Sequence, residues 1–290
     1  MSRSTTLYLM KMINIIAEIG SNHAGDISLA KEMVSAAKES GANYAKFQSW
    51  REKNLREGPW DKDEPFFDFK NKREFYKKAE LLDDQHHELI NHCNKVGIKF
   101  LTTCCDKERA AFLSSLSMSC VKVASPDSTD DKIVGALRDN FDRVIVSTGM
   151  TKNNEIDKII KKLCPGKYTI MHCVSIYPTP LNKISLNRLE SLRDKVTSNG
   201  GDFGVSDHSP GINFVLTAIA KGATWIEKHF TINNKLTGPD NKISILPNEL
   251  KTIRNFSEDF LELQSCQESD SWEQEIDLRK VISGRFAGDS

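Results

Sequence analysis

The 290-residue chain is predicted to fold as a (β/α)8 barrel. Three observations predict it. Strand-like and helix-like segments alternate eight times along the chain. The length suits one such domain, which takes about 250 residues. Finally, His208 and His229 stand 21 residues apart, each closing a short apolar run, with one helix-length segment between them. A strand, a helix and a second parallel strand would bring both imidazoles to one edge of a sheet.

The predicted strands are Asn14–Ile19, Asn43–Phe47, Lys99–Thr103, Cys120–Ala124, Arg143–Ser147, Tyr168–His172, Asp202–Val205 and Thr224–Lys228. Each is short, apolar and rich in β-branched or aromatic residues. Helices are predicted after them. Ser28–Ser40 follows an Asp and ends at Gly41, and Asp83–Val96 ends at Gly97. The others are Lys107–Leu116, Asp131–Asp139, Asn154–Leu163, Ser185–Arg193, Gly211–Lys221 and Pro247–Gln264. The polar, aromatic stretch Arg51–Glu80 reads as an active-site loop with an extra helix. A doubly wound open sheet is the competing fold. It would carry a G-x-G-x-x-G turn after its first strand, and Gly20–Gly25 lacks that spacing. The division is an N-terminal extension at 1–12, the barrel at 13–265 and a tail at 266–290.

Composition narrows the function. An apolar fraction of 39% and a charged fraction of 28% fit a soluble globular enzyme. With 40 basic and 40 acidic residues the formal net charge is zero. Neither nucleic acid nor an anionic membrane is an expected partner. No apolar run reaches the ~18 residues of a membrane span. Met1–Asn14 is too polar and broken for a signal peptide. The seven cysteines are irregularly spaced, without a zinc pattern, and read as free thiols in a reducing cytoplasm.

In a barrel the C-terminal strand ends converge on the site. Strand one offers Glu18, then Asn22 and His23; strand two Lys46 and Gln48; strand three Thr102 and Thr103. Strand four offers Lys122, Ser125 and Asp127; strand five Ser147 and Thr148; strand six His172 and Ser175. Strand seven offers Ser206, Asp207 and His208, and strand eight Glu227, Lys228 and His229. Buried charge is costly unless paired or used. This ring suits an anion and a metal. Lys46 and Lys122, with hydroxyls from Thr103, Ser125 and Ser206, could hold a phosphate. His208 and His229 could hold a divalent cation with open positions. Glu18 and Asp127 are candidate acid/base or substrate-orienting carboxylates.

Plainer readings compete. A lone strand-end histidine is commonly structural, but two at matching ends of adjacent strands favour a shared ligand. Glu18 serves equally as a buried partner for Lys46. Glu227-Lys228 reads as an ion pair closing the barrel. His86, His87 and His92 read as solvated on a polar helix, and Cys104-Cys105 as packing or pocket lining.

Several stretches together resemble the sialic acid synthase family. They are Ile16-Ala17-Glu18-Ile19-Gly20-Ser21-Asn22-His23, Ala45-Lys46-Phe47-Gln48, Val121-Lys122-Val123-Ala124-Ser125 and Ser147-Thr148-Gly149-Met150. Further along come His172-Cys173-Val174-Ser175-Ile176-Tyr177-Pro178-Thr179-Pro180, Ser206-Asp207-His208-Ser209, Glu227-Lys228-His229-Phe230 and Gly238-Pro239-Asp240. The match runs in order from about Ile13 to Leu263.

The resemblance implies a (β/α)8 barrel that condenses phosphoenolpyruvate with an N-acylated amino sugar, giving a sialic-acid-like nonulosonic acid and phosphate. It implies Mn2+, with Mg2+ or Co2+ as alternatives, on His208 and His229. It implies phosphoenolpyruvate on Lys46, Thr103, Lys122, Ser125 and Ser206, with Ser175 where the family usually has Asn. It implies the sugar on Gln48, Tyr177 and Asp240. Glu18 is the candidate for managing a proton or the water.

There are departures from the family. Thr103-Cys104-Cys105 stands for Thr-Pro-Phe, and Ser125-Pro126-Asp127 for Ser-Gly-Glu. Family members continue into an antifreeze-like domain that caps the partner's site, whereas this sequence reaches Ser290 near the linker. The expectation is that the acceptor needs no cap, that a separate polypeptide supplies one, or that the chain is truncated or inactive. A barrel-on-barrel homodimer is expected, with a monomer as the alternative. Two other functions compete. One is a synthase acting on a phosphorylated aldose, with Arg51, Lys53 and Arg56 for the second phosphate. The other is a non-catalytic ligand-binding barrel.

Overall fold

The computed structural model describes residues 12–265 and 272–285. Eight parallel strands close into a barrel, each pairing with its neighbours in chain order. They are β1 (Asn14–Gly20), β2 (Tyr44–Ser49), β3 (Lys99–Cys104), β4 (Cys120–Val123), β5 (Arg143–Ser147), β6 (Lys167–Cys173), β7 (Asp202–Asp207) and β8 (Trp225–His229). Helices pack outside in the order α1 (Ile27–Glu39), α2 (Lys72–Ala79), α3 (Asp83–Val96), α4 (Lys107–Ser114), α5 (Asp131–Asn140), α6 (Asn153–Leu163), α7 (Leu186–Ser198), α8 (Asn213–Ala220) and α9 (Pro247–Ser265). The predicted (β/α)8 barrel is the observed one.

The strands are apolar on both faces because both are covered. Outward residues such as Phe47, Val123, Val205 and Ile226 pack under the helices in one large core. Inward residues Ile16, Tyr44, Leu101, Cys120, Ile145, Met171 and Trp225 form a separate plug that floors the barrel. Gly204 makes room for the largest of them: a Cβ there would lie 2.5 Å from the Trp225 carbonyl oxygen.

Helix ends follow from local chemistry. The Asp26 carboxylate accepts from the Ser28 and Leu29 N–H groups at the start of α1, and Asp106, Asp130 and Ser185 cap α4, α5 and α7 in the same way. Gly97 closes α3 in the left-handed conformation.

The stretch after β2 carries the extra helix, α2, as predicted. A small bridge between Phe66 and Phe69 precedes it, and both rings pack on buried Phe75. The Asp68 carboxylate accepts from the Thr237 hydroxyl, which ties this segment to the loop after β8.

One expectation fails on α3. His87 is exposed, but His86 is fully buried, its ring on Phe112 and its Nδ1 at 2.8 Å from the Leu82 carbonyl. His86, Leu89 and Cys93 form the helix's inner face, so its position in the repeat outweighs its polarity. His92 is half-buried and bonds Ser35 at 3.0 Å.

The predicted extension at 1–12 lies outside the described residues except for Met12. Of the predicted tail, 272–285 is described and contains α10 (Glu273–Ile282), whose residues are all exposed. The six cysteines among the described residues are free thiols; Cys266 lies outside them. Among the described residues no helix is long and apolar enough to cross a membrane.

Candidate active site

Four charged side chains point into the barrel just above its plug. Glu18 is 1% exposed, Lys46 and Lys122 are each 2% and Glu227 is 6%. Strand register brings them together: Glu18 sits opposite Lys46 on one side and His229 on the other, and Ser206 sits opposite Glu227. Lys46 Nζ lies 2.6 Å from Glu18 Oε2 and donates to Thr103 Oγ1 at 3.0 Å. Lys122 Nζ donates to both oxygens of Glu227 at 2.7 Å. Ser206 Oγ donates to Glu227 Oε1 at 2.9 Å, and Lys46 Nζ stands 3.8 Å from Glu227 Oε2. Gln48 Nε2 donates to Glu18 Oε1 at 2.7 Å. Gly20 permits that contact, since a Cβ there would come within 3.1 Å of both groups.

The ring sets its own protonation. Burial raises the Glu18 pKa, and Lys46 only partly offsets it. Burial works against the charge on Glu227 as well, but Lys122 and Lys46 outweigh it and bring its pKa to about 2. Burial pushes the Cys173 thiol, which faces the same space, up to about 11. That thiol is a neutral wall rather than a nucleophile.

The two histidines lie at the neighbouring edge, ring centroids 5.3 Å apart. His208 Nδ1 stands 3.2 Å from the Val174 carbonyl. A carbonyl only accepts, so Nδ1 carries the hydrogen and Nε2 keeps a free lone pair. Burial and then His229 lower the His208 pKa to about 3, which leaves it neutral at physiological pH. His229 Nδ1 is buried without a hydrogen-bond partner, and Asp240 Oδ2 stops 3.8 Å away. A neutral imidazole with a free nitrogen beside an orphaned one suits a divalent cation. Among the described residues no group of three or more His, Cys, Asp or Glu side chains is placed to hold a metal ion, so the two histidines would be its side-chain ligands here.

The remaining predicted residues sit further out. Tyr177, half-exposed, lays its ring 4.1 Å from that of His208, beside Asp240 across the mouth. Ser125 accepts the Met150 N–H at 2.7 Å, so its oxygen is committed to the loop after β5 while its hydrogen stays available. Ser175 Oγ is buried without a hydrogen-bond partner, beside the Cys173 thiol and Gly149. Asp127 stands apart on the rim. Burial, then Asp130, raise its pKa to about 6, with Arg56 opposing. It makes no hydrogen bond or ion pair with the four-charge ring.

Some strand-end residues belong to the scaffold instead. Asn22 ties the β1 loop to the β8 loop through the Phe230 carbonyl and Ser244, both at 2.9 Å. His23 and His172 face the helical layer, against Phe47 and Phe214. Asp207 pairs with Lys228 on the outer face at 2.7 Å. Glu227 and Lys228 are thus not partners: Glu227 joins the inner ring, and the closing pair expected between them is absent. Ser147 Oγ, by contrast, is a buried hydroxyl without a partner at the end of β5. Of the three cations proposed for a second phosphate, Arg51 is paired with Glu80 at 2.9 Å and Lys53 with Glu108 at 3.0 Å. Only Arg56 is left.

The NeuB family profile matches residues 33–266. The N,N'-diacetyllegionaminic acid synthase of Campylobacter jejuni is 37% identical over 84% of this chain and 75% of that protein. The synthase of the same name from Legionella pneumophila is 31% identical over 92% and 78%. Among solved structures, the N-acetylneuraminic acid (sialic acid) synthetase of Leptospira borgpetersenii superimposes with a TM-score of 0.81 at 29% identity, covering 94% of this chain and 93% of that one.

Proposed function

Because this chain belongs to the NeuB family, we propose that it condenses phosphoenolpyruvate with an N-acylated amino sugar, giving a nonulosonic acid and inorganic phosphate. The observation that carries the reading is the inner ring. Two buried lysines sit there with the Thr103 and Ser206 hydroxyls, one strand away from a histidine pair with unspent nitrogen. Charged donors in a dry, fixed array suit a compact dianion.

In this reading Lys46, Lys122, Thr103 and Ser206 hold phosphoenolpyruvate, with Ser125 and Ser175 donating from the rim. Gln48, Tyr177 and Asp240 orient the sugar above it. His208 and His229 would hold a divalent cation, Mn2+ being the one the family resemblance implies, and when bound it would polarise the acceptor's aldehyde. Carbon 3 of phosphoenolpyruvate forms the new bond to the aldehyde carbon, water adds at carbon 2, and the bond from carbon 2 to the phosphate oxygen breaks. Glu18 is placed to carry the proton this requires. Burial raises its pKa above the ordinary carboxylate value, which makes it a better proton acceptor than a solvated carboxylate, while Gln48 and Lys46 hold its two oxygens. Asp127, on the rim, acts on the acceptor rather than on the phosphate.

The test is phosphate release from phosphoenolpyruvate with Mn2+ across a panel of N-acyl and bis-acyl hexosamines, plain aldoses and phosphorylated aldoses. Release that needs one acyl sugar and stops with a chelator is expected. Release driven equally by a phosphorylated aldose, or none with any sugar, would reject the reading.

A further inference from the structure

Glu227 is held from three sides, by Lys122 at 2.7 Å, Ser206 at 2.9 Å and Lys46 at 3.8 Å. Every one of those groups is assigned above to phosphoenolpyruvate, and Glu227 itself has no role in the reaction as proposed. Its charge matters. The ring's inward cations, Lys46 and Lys122, are matched by two carboxylates, Glu18 and Glu227. The site is therefore close to neutral before any anion arrives. In a buried setting a carboxylate a few ångströms from an incoming anion repels it strongly. An anion that takes Lys122 must also draw that ammonium away from a two-oxygen contact.

We infer that Glu227 is a positioning residue that acts as a built-in counter-anion. It keeps Lys122, Lys46 and Ser206 gathered in the inner ring and weakens the hold on any anion that arrives. It confers geometry at the expense of affinity. A small anion with few contacts gains too little to compete, whereas a ligand that also engages the mouth gains more. This inference rests on the phosphoenolpyruvate reading of the ring.

The experiment titrates phosphoenolpyruvate into the full chain by calorimetry with a chelator present, so that the lysines alone are read. Glu227→Gln removes the charge and keeps the shape and one acceptor. Its Kd is expected to fall about tenfold, which is about 1.4 kcal/mol. Its kcat, measured with Mn2+ and sugar, is expected to fall at least tenfold because a neutral amide with one acceptor oxygen cannot hold both Lys122 and Ser206 as the carboxylate does. Glu227→Asp, which withdraws the carboxylate by one methylene, should tighten binding less, about threefold, and serves if the Gln variant does not fold. A residue that merely braced the wall would give weaker binding in both. Kd unchanged or raised in whichever variant folds overturns the inference. If the wild type binds phosphoenolpyruvate and turns it over, only the inference falls. If wild type and variants all fail to bind, the synthase reading falls with it.

Discussion

Two buried ion pairs link strands at the same end of the barrel, Lys122 with Glu227 and Lys228 with Asp207. Both span 2.7 Å and both are almost wholly shielded from water. They differ in what surrounds them. The outer pair is closed: Asp207 also accepts from the Ser209 N–H at 2.8 Å and its hydroxyl at 3.0 Å, and Lys228 donates to the Ser209 carbonyl. The inner pair opens onto groups with spare capacity, among them the orphaned Ser147 and Ser175 hydroxyls and His229 Nδ1. Unpartnered buried atoms also occur in the scaffold, at Asn22, His23 and His172, so what marks the inner site is that they gather beside buried charges there.

If that contrast is right, substitutions on the two faces should separate chemistry from stability. The largest effects come first. His208→Ala or His229→Ala, or chelation of the wild type, should cut phosphate release about 10^3-fold while the urea midpoint stays near wild type. A comparable loss of midpoint would place the histidines in the scaffold. Lys228→Met leaves Asp207 buried and unpaired and should cost about 3–5 kcal/mol of stability, with kcat of the folded protein within about twofold. A large kcat loss there would erase the distinction between the faces. Glu18→Gln should lower kcat about 10^2-fold with phosphoenolpyruvate affinity kept; unchanged turnover would remove its acid/base role.

The smallest effect concerns the rim. Asp127 titrates at about 6 when folded against 3.8 ordinarily. Between those values the folded chain holds a proton that the unfolded chain has released. Its contribution is therefore fully present at low pH and is lost as pH rises through that window. Asp127→Asn should flatten this part of the stability profile, read as the melting temperature at several pH values between about 4 and 7. An unchanged slope would put Asp127 in a wetter setting than its neighbours suggest.

The comparison also explains what the sequence could and could not disclose. The strands were legible as short apolar runs, and β5 falls at its predicted residues. The residue that each strand turns inward was not. A strand covered on both faces lacks the polar alternation that marks an inner side, and a one-residue shift in parity exchanges the faces. Hence Glu227, although named among the strand-end residues, reads from the sequence as the partner of Lys228 and receives no role in the site. The signal existed, since successive residues on a strand point to opposite faces and Glu227 shares its parity with His229. His172 was drawn into the strand-end set for the same reason, although its neighbour Cys173 is the one that faces inward. The loop residues Tyr177, Asp240 and Asp127 rest on resemblance or proximity alone, because no periodicity dictates where a loop side chain goes.

The most direct measurement is a crystal structure of this chain soaked with phosphoenolpyruvate. The account predicts ligand density within hydrogen-bond reach of both Lys46 and Lys122, with Thr103 and Ser206 alongside. Density confined to the rim near Asp127 and Arg56, or an inner ring left unchanged at saturating ligand, would contradict it.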